Sequence, residues 1–217
     1  MPLKIFIVDD HSTITASYKH CIESMEDLAR YEIDCFNSIE KFCDAIAQGR
    51  VPDVLFLDLS MPSFAKEQIE DGFHLARILR DKFASIKIMI STMHTSPLYI
   101  YNVIECIKPE AFLLKSDVDA TEICKSLETV LSGKTYHSKT AQNIIHTVSS
   151  HSFCQDAVNR NILLMTSERY TNKEISEKLL ISTSTVEKRE ASVKQILDIE
   201  GQNDKILIEK LKNLNLM

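Results

Sequence analysis

Residues 54–57 read Val-Leu-Phe-Leu, apolar at odd and even positions alike, so a strand built from them must be buried on both faces. Strands of that kind belong to parallel sheets, whose crossover helices cover both sides. Four further short runs fit the same sheet: KIFIV at 4–8, YEIDCF at 31–36, IKIMIS at 86–91 and AFLL at 111–114. Helical spacing fills the gaps, with Ile14, Tyr18, Cys21, Ile22 and Met25, then Phe42, Ala45 and Ile46, then Phe73, Leu75, Ala76 and Leu79. Five strands, each followed by a helix, predict an α/β class domain with a five-stranded parallel (βα)5 sheet over residues 1–133.

Open parallel sheets gather their functional groups at the carboxyl ends of the strands. Those ends carry Asp9 and Asp10, then Asp58, then Ser91 and Thr92, then Lys115. Three crowded carboxylates repel one another, and the usual remedy is a hard divalent cation bound through oxygen; Mg²⁺ fits, because it takes one or two carboxylates and leaves positions for phosphate oxygens. An aspartate beside such an ion can attack phosphorus and become an aspartyl phosphate. Lys115 supplies charge for the phosphoryl oxygens, and Thr92 supplies a hydroxyl.

Composition removes other classes. Among the 217 residues no run approaches the roughly eighteen apolar positions of a membrane span, and MPLKIFIVDD turns acidic before a signal-peptide core could form. A cytoplasmic protein without membrane attachment is the expectation. The six cysteines form no C-x-x-C pair and the seven histidines are scattered, which predicts buried thiols and no zinc site. Charge divides unevenly: 15 Lys and Arg against 21 Asp and Glu in residues 1–150, but ten against ten in 151–217. The C-terminal part therefore lacks the strongly basic footprint of many nucleic-acid binders.

Residues 134–154 are polar and serine-rich, with one weakly amphipathic stretch at 141–148, and read as a linker that can hold a short helix. Residues 155–217 read as a second, smaller all-α domain. Thr171 and Glu174 form a capping-box pattern opening a helix that runs to Leu180. Ile181 and the run STST interrupt it, and Ser182 or Thr183 can cap a second helix bearing Val186, Val193, Ile196 and Leu197. The short turn suits a helix-turn-helix, although spacing alone fits a generic helical hairpin equally well.

The segments VDD at 8–10, LFLDLSMP at 55–62, MISTMH at 89–94 and AFLLKSD at 111–117 together resemble the receiver domain of bacterial two-component response regulators. STMHTSP, AFLLKSD and SGKTYHS are similar to the NarL/FixJ branch, and YTNKEISEKLLISTSTVEKREASVKQIL is similar to its LuxR-type helix-turn-helix output domain. The resemblance implies that Asp58 is the phosphoacceptor and that Asp10, Asp9, Asp58 and the Ser60 backbone carbonyl hold Mg²⁺. It implies that Thr92, Phe112 and Lys115 form the switch, remodelling the face of the fourth helix, fifth strand and fifth helix. It further implies a sensor histidine kinase as phosphodonor, promoter DNA as target, a homodimer when active, and a last helix from Asp204 to Asn213 that dimerises. Ser184, Lys188, Arg189 and Lys194 would contact DNA, with Glu187 on the same helix.

Several positions depart from that pattern. SFAKEQIED at 63–71 is longer than the family's loop between MP and DG, Ser116 follows the lysine where proline is usual, and Arg169 replaces a glycine. Ser184 and Glu187 stand where lysine is common, leaving residues 183–197 with a net charge of +1. The primary expectation is a phosphorylation-controlled transcriptional regulator that is not an enzyme. A signalling adaptor, whose C-terminal domain binds protein instead of DNA, is the rival of a different class. An Asp-nucleophile phosphohydrolase is disfavoured, because position 60 is Ser where that class places its general acid.

Overall fold

The computed structural model describes residues 2–25 and 30–217. The chain divides into two compact units, residues 1–94 with 106–142, and residues 95–105 with 143–217.

The first unit is built on a parallel sheet of β1 (Leu3–Val8), β2 (Tyr31–Phe36), β3 (Val54–Asp58), β4 (Lys87–Thr92), β5 (Ala111–Leu114) and β6 (Tyr136–His137), in the order β2-β1-β3-β4-β5-β6. The five expected strands are present within a residue of their expected bounds, and β3 is buried along its whole length, as its sequence demands. Side chains alternate across the sheet. Ile5, Ile7, Val54, Phe56, Met89, Ala111 and Leu113 fall on one face and pack with α1 (Ser12–Glu23) and α5 (Ala120–Leu131) through Tyr18, Cys21, Ile22, Ile123, Leu127 and Val130. On the opposite face Phe6 meets Phe42 of α2 (Ile39–Ala47) edge-on, with ring centres 6.3 Å apart.

The sixth strand corrects the five-strand expectation. A two-residue element inside SGKTYHS has no apolar run to announce it; backbone bonds make it, from Tyr136 N to Glu110 O at 2.9 Å and from Ser138 N to Phe112 O at 3.0 Å. Within residues 134–154, α6 spans Lys139–Ser149, over the stretch where a short helix was expected, and a 3-10 turn follows at Ser152–Cys154.

Between β3 and α3 (Gly72–Lys82) the long loop closes on itself. Phe64 and Ile69 exchange backbone hydrogen bonds of 2.8 and 3.1 Å around a 3-10 turn at Ala65–Glu67. Phe64 and Ile69 face a groove shared with Phe42, Cys43, Leu79 and Phe83 of the α2 and α3 region. At the loop's end Gly72 lies against β3: a Cβ there would sit 1.9 Å from the Asp58 carbonyl oxygen, so only glycine fits.

The second unit contains most of α4 (Pro97–Ile107), with α7 (Ala157–Ser167), α8 (Asn172–Leu179), α9 (Thr183–Ile196) and α10 (Asp204–Asn213). Ile162, Ile175 and Val186 centre the core of α7, α8 and α9. Arg160 is buried within this unit; its Nε donates to Asn102 Oδ1 at 3.1 Å and its Nη1 to the carbonyls of Cys154 and Gln155. Thr171 and Glu174 form the expected capping box, Ser182 caps α9, and α10 occupies the expected residues.

Candidate functional site

Strand alternation builds the site. Asp9, Asp58, Ser91 and Lys115 each lie two residues beyond a member of the α1/α5-side core, namely Ile7, Phe56, Met89 and Leu113. They therefore continue the apolar rows off that face at the carboxyl edge of the sheet. Asp9 and Asp58 are each only 3% exposed. Lys115 Nζ lies 2.6 Å from Asp9 Oδ2 and 2.7 Å from Asp58 Oδ2, so one ammonium bridges two buried carboxylates. Burial alone would lower this lysine's pKa, but its hydrogen bonds to Asp58 and Asp9, and their charges, hold it above the ordinary lysine value. The other Asp58 oxygen, Oδ1, accepts Ser60 N at 3.0 Å.

Asp10 stands beside this pair at the more exposed mouth. Ligand atoms of Asp9, Asp10, His11 and Asp58 all lie within 4.8 Å of one another, close enough to share one ion. A mostly oxygen donor set with two deeply buried carboxylates suits a hard divalent cation such as Mg²⁺. His11 is a member that sequence reasoning passed over; its Nδ1 lies 2.8 Å from Asp10 Oδ1, and its only signal was adjacency to the acidic pair.

Thr92 and Phe112 occupy the opposite parity. Ile90 and Phe112 are register partners on β4 and β5, so Thr92 and Phe112 share the other face, both fully buried. The Thr92 hydroxyl accepts His94 N at 3.1 Å. Ser91, named from the sequence with no role beyond its position, is hydrogen-bonded to Tyr18 of α1, with Oγ and the phenol oxygen 2.6 Å apart.

On α9, Ser184, Glu187 and Lys188 are exposed, as a binding helix requires. The other basic candidates are engaged inside the unit: Arg189 Nη1 is 2.9 Å from Asp156 Oδ1 and 2.9 Å from Asn159 Oδ1, and Lys194 Nζ is 2.9 Å from Asp204 Oδ1. Glu190 points inward, 5% exposed, and accepts the Thr166 hydroxyl at 3.1 Å. It therefore does not add to the outer charge of the helix, which the sequence count had included.

A family model described as the response regulator receiver domain matches residues 5–128. The chain belongs to the response regulators. This response regulator is similar to the oxygen regulatory protein NreC of Staphylococcus haemolyticus, 26% identical over 214 residues that cover 92% of this chain and 93% of that protein. NreC of Staphylococcus carnosus is likewise 26% identical over 212 residues, with the same coverage. Among solved structures, one described as two RcsB dimers bound to two parallel DNAs matches with a TM-score of 0.65 at 21% identity, covering 98% of each chain. The isolated receiver domain of RcsB from Salmonella enterica serovar Typhimurium, with a phosphomimetic, matches at 0.58 and 22% identity over 67% of this chain. At these identities the two structures show that the regulator shares the receiver fold and the helical C-terminal fold. Among the described residues, no helix is long and apolar enough to cross a membrane.

Proposed function

We propose that this response regulator accepts a phosphoryl group on Asp58 from a sensor histidine kinase in the cytoplasm, and thereby controls promoter binding by its C-terminal helix-turn-helix. Residues 1–133 act as the phosphoacceptor domain, 134–154 connect, and 155–217 form the output. The chain is a stoichiometric phosphoryl acceptor and not an enzyme acting on a separate substrate.

One observation carries the reading: the buried Lys115 ammonium bridges Asp9 and Asp58 at the rim of the sheet, beside Asp10. Asp58 offers a carboxylate oxygen to phosphorus, and the phosphorus–nitrogen bond of a phosphohistidine donor breaks as the aspartyl bond forms. Asp9, Asp10, Asp58 and the Ser60 carbonyl would hold Mg²⁺, which supplies positive charge to the transferring oxygens. Lys115 exchanges a carboxylate contact for a phosphoryl oxygen without leaving the pocket. Thr92, whose hydroxyl oxygen accepts from His94 N, donates its own hydroxyl proton to the new anion. Phe112, on the same face as Thr92, follows into the space released, and this biases a two-state arrangement of the receiver.

Output on DNA draws support from the capped α8 and α9 pair and from the DNA-bound RcsB neighbours. On α9, Ser184 and Lys188 would face the groove, while Arg189 and Lys194 would need to exchange Asp156 and Asp204 for phosphates. Dimerisation through α10 completes the proposal.

The test pairs two measurements. Acetyl phosphate with Mg²⁺ labels the wild type once, and Asp58→Asn abolishes the label. Selection from a pool of genomic fragments then compares labelled and unlabelled protein. Labelling that survives Asp58→Asn overturns the phosphoacceptor assignment; labelled protein that selects no fragment, with Glu187→Lys gaining affinity, overturns the DNA output in favour of a protein-binding one.

A further inference from the structure

The row of polar residues that leaves the α1/α5 side of the sheet has four members, and the function above uses three. Ser91 is the fourth. Asp58 and Ser91 are register partners on adjacent parallel strands, so their side chains leave the same face about 4.8 Å apart along the sheet. A serine hydroxyl so close to a buried carboxylate would ordinarily donate to it, since hydrogen bonds to ionised acceptors are the stronger kind. The structure has Ser91 Oγ paired with the Tyr18 phenol at 2.6 Å instead, while Asp58 keeps Ser60 N on Oδ1 and Lys115 on Oδ2.

Tyr18 is 6% exposed and Ser91 1% exposed, so the pair lies in the buried part of the site. Burial raises the Tyr18 pKa above the ordinary tyrosine value, with the Ser91 hydrogen bond and the Lys115 charge opposing and Asp9 and Asp58 adding to the rise. The phenol is therefore neutral and lies within electrostatic reach of the site. Two buried hydroxyls in a core of Phe56, Met89 and Leu113 are otherwise a liability, because each must be satisfied there.

We propose that in the 2.6 Å pair Ser91 donates to the Tyr18 phenol, and that Tyr18 is thereby a positioning residue for the phosphoryl acceptor, holding the Ser91 proton away from Asp58 so that the carboxylate oxygens remain available to Lys115, to the cation and to phosphorus. The proposal rests on Asp58 being the acceptor. Loss of the phenol frees the Ser91 hydroxyl to rotate toward the carboxylate of its register partner on the same face, Asp58. A donated hydrogen bond there draws electron density from the nucleophile and competes for the oxygen that must form the new bond.

The experiment is the rate of single labelling by acetyl phosphate with Mg²⁺ in four full-length proteins: wild type, Tyr18→Phe, Ser91→Ala and the double variant, each checked by its urea midpoint. Tyr18→Phe should label about tenfold more slowly, as expected when a neutral donor is added to an ionised acceptor. Ser91→Ala should label near the wild-type rate. The double variant should recover that rate, because no hydroxyl is left to bind Asp58. A double variant as slow as Tyr18→Phe would assign the effect to lost packing and overturn the proposal, as would Tyr18→Phe labelling at the wild-type rate. Label that persists in Asp58→Asn overturns the acceptor assignment and this proposal with it, which separates the two failures.

Discussion

Gly72 lies where the loop after β3 turns into α3, and a single added methyl group there tests the geometry of the acceptor strand. In Gly72→Ala the new Cβ would meet the Asp58 carbonyl oxygen at 1.9 Å, with the Asp58 carbonyl carbon and Leu59 Cα both at 2.9 Å. All three neighbours are backbone, so no side chain can rotate aside, and the gap must open by about 1 Å before the contact becomes one that real structures tolerate. Overpacking of this kind costs about 1–3 kcal/mol, and rigid backbone on both sides puts Gly72 at the upper end. The same opening stretches the Gly72 N to Leu59 O bond, now 3.1 Å, which is worth about 1 kcal/mol. Alanine returns at most about 1 kcal/mol in helix propensity, less at the first residue of α3. The net expectation is a loss of about 3 kcal/mol, read as a lower urea midpoint at unchanged slope. Function should suffer further: Asp58 carried about 1 Å from its place 2.7 Å from Lys115 Nζ should label about a hundredfold more slowly with acetyl phosphate. A Gly72→Ala protein within about 0.5 kcal/mol of the wild type and labelling at its rate would refute the reasoning.

Three other perturbations follow from the same geometry. Lys115→Met strands two buried carboxylates and should cost about 3 kcal/mol in Mg²⁺-free buffer, with millimolar Mg²⁺ restoring most of it; an unchanged urea midpoint without Mg²⁺ would contradict the bridging role. Glu187→Lys changes the exposed face of α9 by two charges, so binding to non-specific duplex should tighten and its log–log salt slope should steepen by about 0.9 for each phosphate newly neutralised, measured by fluorescence anisotropy. The Tyr136 phenol, pushed up to about 12 by burial and by its hydrogen bond to Glu122, should ionise above the ordinary tyrosine range in an absorbance titration. Because its folded pKa is raised above the unfolded value of about 10, its stabilisation is complete below that pH and is lost as pH climbs toward about 12; Tyr136→Phe should remove this alkaline loss.

Much of the first unit was legible because its signals are local. Apolar runs such as 54–57 leave few alternatives to a doubly covered strand, and a carboxylate or ammonium just past each run has to emerge at the rim. Asp9, Asp58 and Lys115 could therefore be brought together from sequence order alone, and the ion pairs of 2.6 and 2.7 Å follow from that order. Features made by partners distant in the chain were not legible. Tyr18 keeps helical spacing and reads as core, and nothing near it announces a hydroxyl 73 residues away on Ser91. Arg189 and Lys194 look like free basic residues on an outer helix until Asp156, 33 positions earlier, and Asp204, ten later, are seen beside them. Glu190 reads as a surface acid, yet the Thr166 hydroxyl satisfies it inside. The strand at Tyr136–His137 rests on main-chain bonds that leave no pattern in side-chain type.

That short strand has a consequence for how copies of the molecule behave in a crowded solution. An open strand edge offers a row of unused amide and carbonyl groups onto which another chain can add, the first step of fibrillar association. By pairing with Ala111 and Phe112, two residues deny that template to any passing strand along the most apolar edge of the sheet. The far rim, β2, is longer and carries the exposed Glu32, a charge that discourages strand addition, while Asp34 is ion-paired with Arg50. Self-association by sheet extension is thus discouraged at both margins, and contacts between copies are left to helical surfaces.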